Sequence, residues 1–397
     1  MTETDYPQLF RTYVTRRLTQ IHETVKRETF VQSPTKQAQA LRALTYALAE
    51  IPQEPAVVIE VLLALAPAME QTGHRDSWCA CLLHGVKLCR QIGDQVTEAE
   101  LRYQIGILFQ RQSKFVEAKE WLESGLHCFI ITGNQPGQSK SLHQLAHIAC
   151  LQHDCENATR LVERATLLTS QDLVLQAMTY FIKGTIAGYF DRWTEAEEFH
   201  RHALELRRKS NDQRRVAWSL LDLSGVLRAQ KRYRDAIGYC KESATILRAL
   251  SDMQSWCRVQ MSLGLIYYDC GDAERALSCF ESTLAHLKNC QDLFNLAKLY
   301  TNIGLAFLAL DQPDRAEESF AESKAIFLLL KDKGRELNAA DGLAMALLAQ
   351  KRYIDAIASL QDSIAELCLI KELPIYDYLV QSMRNHLEQA QQSLLLH

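Results

Sequence analysis

The stretch GLIYYDCGDAERALSCFESTLAHL, from Gly264 to Leu287, decides the fold, because GLAFLALDQPDRAEESFAESKAIF, from Gly304 to Phe327, repeats its pattern at a distance of 40 residues. Each stretch begins with a glycine that is followed twelve residues later by an alanine. A fixed period of this length is typical of a repeat architecture in which each unit is one supersecondary element.

The same two positions recur along most of the chain. The alanines are spaced 40, 38, 40, 40, 40 and 40 residues apart, at Ala118, Ala158, Ala196, Ala236, Ala276, Ala316 and Ala356. Twelve residues before each alanine lies another small residue, in turn Gly106, Ala146, Gly184, Ser224, Gly264, Gly304 and Ala344. Small residues allow two helix backbones to approach closely, so the two rows predict a series of helical hairpins.

Turn residues separate the hairpins at a constant phase. Polar segments such as TGNQ from Thr132, SNDQ from Ser210 and KDKG from Lys331 follow each second helix. Between Gly137 and Leu373 the sequence has one proline, Pro313, in a turn between helices where it removes no helical hydrogen bond. The pattern therefore predicts an all-α protein.

The spacing G-x-x-[FYL], then [FYW]-x-x-A, resembles the tetratricopeptide repeat. The family's unit has about 34 residues, so the units here are longer, and they resemble the repeats of bacterial regulators of the ATP-driven transcription-activator type and of kinesin light chains. The resemblance covers Val96 to Ile370. It implies a right-handed α-solenoid, a superhelix of stacked antiparallel helix pairs.

Three regions are expected: residues 1–95 with degenerate repeats that cap the array, residues 96–370 with seven repeats, and residues 371–397 with a C-terminal capping helix. Helices in the first and last regions are predicted from their apolar patterns and prolines. The expected helices run from about Pro7 to Phe30, between Pro34 and Pro52, from Ala56 to Thr72, and from Pro374 onward.

Composition narrows the function classes. The net charge of -4 argues against a general nucleic-acid binder, since such proteins usually carry a basic excess. No apolar run reaches the length needed to cross a bilayer, and the N-terminus lacks an apolar signal segment, so a cytoplasmic protein without a membrane partner is expected. The twelve cysteines have irregular spacing inside apolar patterns, which favours reduced, buried thiols.

In tetratricopeptide proteins, the first helix of each unit lines the concave surface. The resemblance therefore implies which side chains point inward and contact a partner. These candidates are Tyr103, His143, His147, Phe181, Tyr189, Trp218, Leu221, Arg228, Arg258, Met261, Tyr268, Lys298 and Asn302. Aromatic residues and arginine dominate binding hot spots, and methionine is enriched at interfaces, which supports a binding role for the set.

Four inward basic residues, Lys140, Arg228, Arg258 and Lys298, are suited to hold carboxylates of an extended peptide. Some members of the family bind a C-terminal carboxylate with Asn and Lys at set positions in successive units. Only Asn302 matches an asparagine of that kind, so this clamp is not predicted.

Two clusters suggest other chemistry. His143, His147 and Cys150 lie at helical spacing, as in a metal site, but the motif lacks the Glu of an HExxH site and a fixed third ligand. The basic run from His200 to Arg215 suits nucleic acid, an acidic partner or a solvated helix end. Neither is adopted, and no metal or other cofactor is expected.

The sequence contains no P-loop, dinucleotide motif or catalytic triad at a spacing that needs explanation. The leading hypothesis is therefore a non-enzymatic interaction scaffold that binds a peptide or helix of a partner protein. The alternative is a regulatory receptor whose solenoid changes shape on binding a peptide or small ligand. The terminal helices are candidates for self-association.

Overall fold

The computed structural model describes residues 6–25, 34–50, 55–69, 75–112, 114–168, 172–290, 292–369 and 376–396. All regular secondary structure in these ranges is helical, in nineteen helices. The predicted all-α fold class is confirmed. No helix in the described ranges is long and apolar enough to cross a membrane.

The chain divides into two compact units, Met1–Arg215 and Val216–His397. Unit 1 contains α1 Tyr6–Val25, α2 Pro34–Glu50, α3 Pro55–Met69, α4 Arg75–Ile92, α5 Gln95–Arg111, α6 Phe115–Ile131, α7 Gln135–Leu151, α8 Cys155–Thr166, α9 Leu173–Tyr189 and α10 Trp193–Lys209. The boundary lies inside α11, Gln213–Ala229. Unit 2 continues with α12 Tyr233–Ala249, α13 Met253–Asp269, α14 Ala273–Asn289, α15 Leu293–Ala309, α16 Pro313–Leu329, α17 Lys333–Ala349, α18 Tyr353–Cys368 and α19 Tyr376–Leu396.

Within each unit, consecutive helices pack as hairpins, such as α5 with α6 and α9 with α10 in unit 1, and α13 with α14 and α15 with α16 in unit 2. The first helix of a hairpin also contacts the first helix of the next, as α7 contacts α9 and α15 contacts α17. This is the stacked hairpin arrangement predicted from the tetratricopeptide resemblance. The division at residues 95 and 370 stays a prediction, because the compact units do not follow the repeat phase.

The row of small residues on the first helices has a specific structural cause. A Cβ atom added at Gly264 would lie 2.3 Å from the Phe280 ring, and one added at Gly304 would lie 2.8 Å from the Phe320 ring. In both cases the contacting side chain comes sixteen residues later, from the second helix of the same hairpin. The small position thus receives a large side chain. The alanine row is fully buried, as Ala276 and Ala316 illustrate.

The turns inside the hairpins close with left-handed residues. Asp191 has φ of 55° and donates its backbone N–H to Gly188, while the next residue, Arg192, donates to the carbonyl of Ala187. This is the Schellman arrangement, which satisfies carbonyls at the C-terminal end of a helix. Glycine fills the equivalent position at Gly271, with φ of 82°.

The terminal helices agree with the expected positions where they are described. α1 begins at Tyr6 and α2 at Pro34, and buried Leu18, Leu44 and Leu62 join α1, α2 and α3 in one core. Phe30, Pro52, Thr72 and Pro374, at the predicted helix boundaries, lie outside the described residues. The C-terminal helix α19 packs on α17 and α18 through a core shared with Leu337 and Leu360.

Candidate partner-binding surface

The predicted inward residues lie on the first helices of the hairpins, and we describe them by unit. The unit 1 face consists of Tyr103 on α5, Lys140, His143 and His147 on α7, and Phe181 and Tyr189 on α9. The unit 2 face consists of Trp218, Leu221 and Arg228 on α11, Arg258, Met261 and Tyr268 on α13, and Lys298 and Asn302 on α15.

At one end of the unit 1 face, Lys140 connects two successive first helices. Its ammonium forms an ion pair with Glu100 on α5 and lies 4.4 Å from the centroid of the Tyr103 ring. It also lies 5.2 Å from the Phe129 ring. Cation–π contacts of this kind hold Tyr103 half-buried rather than free. The charge of Lys140 is therefore already balanced inside the chain.

In the middle of the unit 1 face, His147 and Phe181 are in contact. Their rings meet edge to face with centroids 5.4 Å apart, and His147 Nδ1 lies 2.9 Å from the Gln110 amide nitrogen. Behind Phe181, the buried Arg207 guanidinium lies 5.5 Å from the ring centroid. Phe181, whose ring centroid also lies 5.9 Å from that of His200, is thus held in place and stays partly exposed.

His143 and Tyr189 differ sharply in exposure. His143 is fully buried, its Nε2 lies 2.8 Å from the Thr179 hydroxyl, and burial lowers its pKa to about 4. Its side chain therefore joins α7 to α9 instead of lining the surface. Tyr189 is 37% exposed and packs on the His153 ring at 5.1 Å. Burial of its inner part raises its pKa, and Cys150 and Cys155 add to the effect.

On the unit 2 face, Trp218 and Met261 have structural contacts. Trp218 Nε1 donates to the Ser255 hydroxyl at 3.0 Å, which ties α11 to α13. Met261 is 6% exposed and therefore lies inside the packing between helices. Leu221 is half-buried.

The charged groups of the unit 2 face have different surroundings. Arg228 donates from Nε to Asp269 at 2.5 Å, across α11 and α13. Arg258 and Lys298 are exposed. Tyr268 is half-buried. Burial raises its pKa, and the negative charge of Asp269 raises it further. Asn302 is half-buried on α15.

Sequence reasoning missed two residues that lie against Lys298. Phe294 is 5.7 Å from the Lys298 ammonium, measured to the ring centroid, and the Arg335 guanidinium is 4.8 Å from the same centroid. Phe294 precedes Lys298 by four residues, so helical spacing alone would have indicated this neighbour. Arg335 comes from the next repeat, and its approach depends on how α15 and α17 pack.

The two alternative clusters have ordinary structural roles. Among the described residues, no group of three or more His, Cys, Asp or Glu side chains is placed to hold a metal ion. None of the twelve cysteines, all of which lie in the described ranges, forms a disulfide bond, and burial raises the pKa of Cys150 and Cys257 to about 12. In the basic run, Arg207 is buried against Phe181, and Arg201 pairs with Glu197 at 2.7 Å.

Comparison with known proteins supports the repeat assignment. Residues 175–249 match the family model of the tetratricopeptide repeat. The prediction that the chain carries repeats of this type is therefore confirmed. No curated protein sequence matches the chain significantly.

Solved structures with the same fold include signalling proteins of low sequence identity. A Signal Transduction ATPase with Numerous Domains that has a tetratricopeptide repeat sensor, from Pyrococcus horikoshii, is 15% identical, with a TM-score of 0.56 over 92% of this chain and 54% of that one. The present chain thus spans about half the length of that protein. A Rap protein complexed with competence and sporulation factor is 14% identical, with a TM-score of 0.58 over 96% and 99%. The apo quorum sensor NprR from B. thuringiensis is 11% identical, with a TM-score of 0.51 over 69% and 79%.

Proposed function

We propose that this tetratricopeptide-repeat protein is a non-enzymatic interaction scaffold, which binds a peptide or helix of a partner protein on the first helices of its repeats. The proposal includes a cytoplasmic location, no cofactor, and no membrane or nucleic-acid partner. The regulatory neighbours, one of them complexed with a factor, agree with a role in protein interaction.

The observation that carries the proposal is the state of Phe181. This ring is held in place by His147, His200 and Arg207, yet it stays partly exposed. A rigid, partly exposed aromatic ring loses little conformational entropy on binding, which is the property of a binding hot spot. The exposed Tyr189 on the same helix extends the aromatic surface by two further turns.

The test begins with a defined ligand. The full chain is used to select peptides from a displayed library of random sequences, and the strongest peptide is synthesised with a fluorophore. Phe181→Ala is expected to weaken its binding about tenfold or more, which corresponds to about 1.4 kcal/mol. Val116→Ala on the second helix α6 is the matched control, because Val116 is 67% exposed and lies off the unit 1 face.

Circular dichroism melting must show that both variants keep the wild-type fold. Failure to select any peptide would contradict the proposal. Equal binding by the Phe181 variant and the wild type, for peptides that contact unit 1, would also contradict it.

The second candidate function is a regulatory receptor that changes shape on binding. It is favoured by the sensor proteins among the structural neighbours. Small-angle scattering of the full chain with and without the selected peptide tests it. A change in the radius of gyration supports the receptor, and identical profiles at saturating peptide support the scaffold alone.

A further inference from the structure

The four basic residues predicted to point inward fall into two classes. Lys140 is paired with Glu100, and Arg228 is paired with Asp269. Arg258 and Lys298 have no ion pair with any carboxylate in the described part of the chain. The charge left for a ligand is thus concentrated on α13 and α15 in unit 2.

Arg335 on α17 adds a third cation to Arg258 and Lys298. The Lys298 ammonium and the Arg335 guanidinium lie 5.7 and 4.8 Å from the centroid of the same Phe294 ring. Phe294 is itself fixed by an edge-to-face contact with the buried Phe327, at 6.3 Å between centroids. Two positive charges therefore lie close to one aromatic ring.

Carboxylates balance the positive charges of Arg258, Lys298 and Arg335 only in part. Arg335 pairs with Asp332 at 2.5 Å, and the Asp292 carboxylate near Lys298 already accepts hydrogen bonds from Gln254 and Asn295. Although the Lys298 side chain is exposed, the groups packed around it reduce the hydration of its ammonium; this lowers its pKa, and the charges of Arg335 and Arg258 lower it further. Asp292 opposes this effect without cancelling it. An added anion would relieve the repulsion.

Neutral donors lie on the same helices. Asn302 follows Lys298 by four residues and Asn338 follows Arg335 by three, spacings that place each pair on one helix face. Both amides are half-buried, and neither has a hydrogen bond from its side chain among the described residues. Guanidinium, ammonium and amide groups together match the donors that recognise a carboxylate.

We infer that Arg258, Lys298 and Arg335, with the Phe294 ring against Lys298 and Arg335, form a subsite for the side-chain carboxylate of an acidic residue in the bound peptide. The inference rests on the proposed function and gives the partner its chemistry: an acidic peptide or helix segment. A nucleic acid fits less well, because its affinity grows with the number of neutralised phosphates, and the other two inward cations are already paired.

The experiment uses peptides selected by display against the full chain and made with an amidated C-terminus. We expect Asp or Glu to be enriched among them. The double variant Arg258→Gln/Lys298→Gln should weaken binding at least tenfold, and Glu→Gln in the peptide should cause a similar loss. In the double variant, the peptide substitution should then have little further effect, since the two groups interact directly.

The matched control removes two positive charges from another part of unit 2. Arg234→Gln/Lys241→Gln changes two exposed residues on the second helix α12. This variant should bind within twofold of the wild type. Equal losses in both double variants would indicate a general charge effect and overturn the subsite.

Other outcomes separate the two proposals. If selected peptides bind but show neither acidic enrichment nor dependence on Lys298, the subsite is wrong and the scaffold function stands. If no peptide is selected, both fail. If a peptide binds with a free C-terminus but not with an amidated one, the site does not recognise a side-chain carboxylate and the inference is overturned. The same holds if inorganic phosphate or single-stranded DNA competes as strongly as the acidic peptide does.

Discussion

The attachment of the C-terminal helix α19 to unit 2 is expected to weaken as pH rises. Asp341 on α17 is buried and accepts two hydrogen bonds from α19, from the Ser382 hydroxyl at 2.6 Å and from His386 Nδ1 at 2.7 Å. The hydrogen bond to Asp341 raises the pKa of His386, with burial opposing and the charge of Asp341 adding to it. A protonated His386 thus forms a charged pair across the two helices.

The direction of the pH effect follows from this shift. Because His386 binds its proton more tightly in the folded protein, its contribution to stability is complete below its ordinary pKa of 6.5. The contribution is lost as pH rises through the raised folded value. A hydrogen bond to a charged group contributes roughly 1.5–3 kcal/mol. The His386 side chain is 21% exposed, so we expect a contribution at or somewhat below the lower end of that range, about 1–2 kcal/mol.

Hydrogen exchange measured by mass spectrometry on peptides from α19 tests this expectation. Protection factors, corrected for the intrinsic exchange rate, should fall roughly fivefold to thirtyfold between pH 6 and 8.5, as 1–2 kcal/mol requires. In Asp341→Asn, which keeps an acceptor for Ser382 but lacks the charge, the slope should vanish. A slope of opposite sign, or the same slope in the variant, would refute the reasoning.

Three further predictions concern single positions. The free energy of unfolding of unit 1 should fall by up to about 3 kcal/mol as pH falls from 6.5 toward 4, because buried His143 has a pKa lowered to about 4. Urea titrations of the wild type and of His143→Gln at several pH values check this difference. Lys351→Gly should raise stability by about 0.5–1 kcal/mol, because Lys351 has φ of 62°, whereas Gly271→Ala should lower the melting temperature. Gly264→Val should cost about 1–3 kcal/mol in denaturant unfolding, while Gly225→Ala, with open space around it, should be neutral or stabilising.

The sequence was sufficient to predict the repeat architecture because its signals are local. Each glycine of the small row lies sixteen residues before the side chain that packs on it, as Gly304 lies before Phe320. The sequence does not give the full reason for the row of small residues on the first helices, however. The sequence predicts close approach of backbones, whereas the structure shows a large side chain that fills the space left by the missing Cβ. That distinction depends on rotamers, which a period in the sequence does not encode.

The candidate surface is less predictable from the sequence. Helical spacing indicates on which face of a helix a residue lies, but not how deeply its side chain is buried. His143 and His147 lie on one face of α7, yet His143 is fully buried and His147 is partly exposed. The difference arises from α9, where Thr179 covers one ring and Phe181 meets the edge of the other. Exposure is decided by the neighbouring repeat, so it cannot be obtained from one helix.

The same dependence on neighbours decides which charges face a partner. Lys140 and Lys298 lie on the first helices of their hairpins in corresponding positions, and nothing in their local sequence separates them. Glu100 on the preceding first helix neutralises Lys140, whereas Arg258 on the preceding first helix repels Lys298. The residue one repeat away therefore decides whether the lysine charge is balanced within the chain, without any change to the repeat signature. Repeats that share one fold can thus present different net charges at corresponding positions.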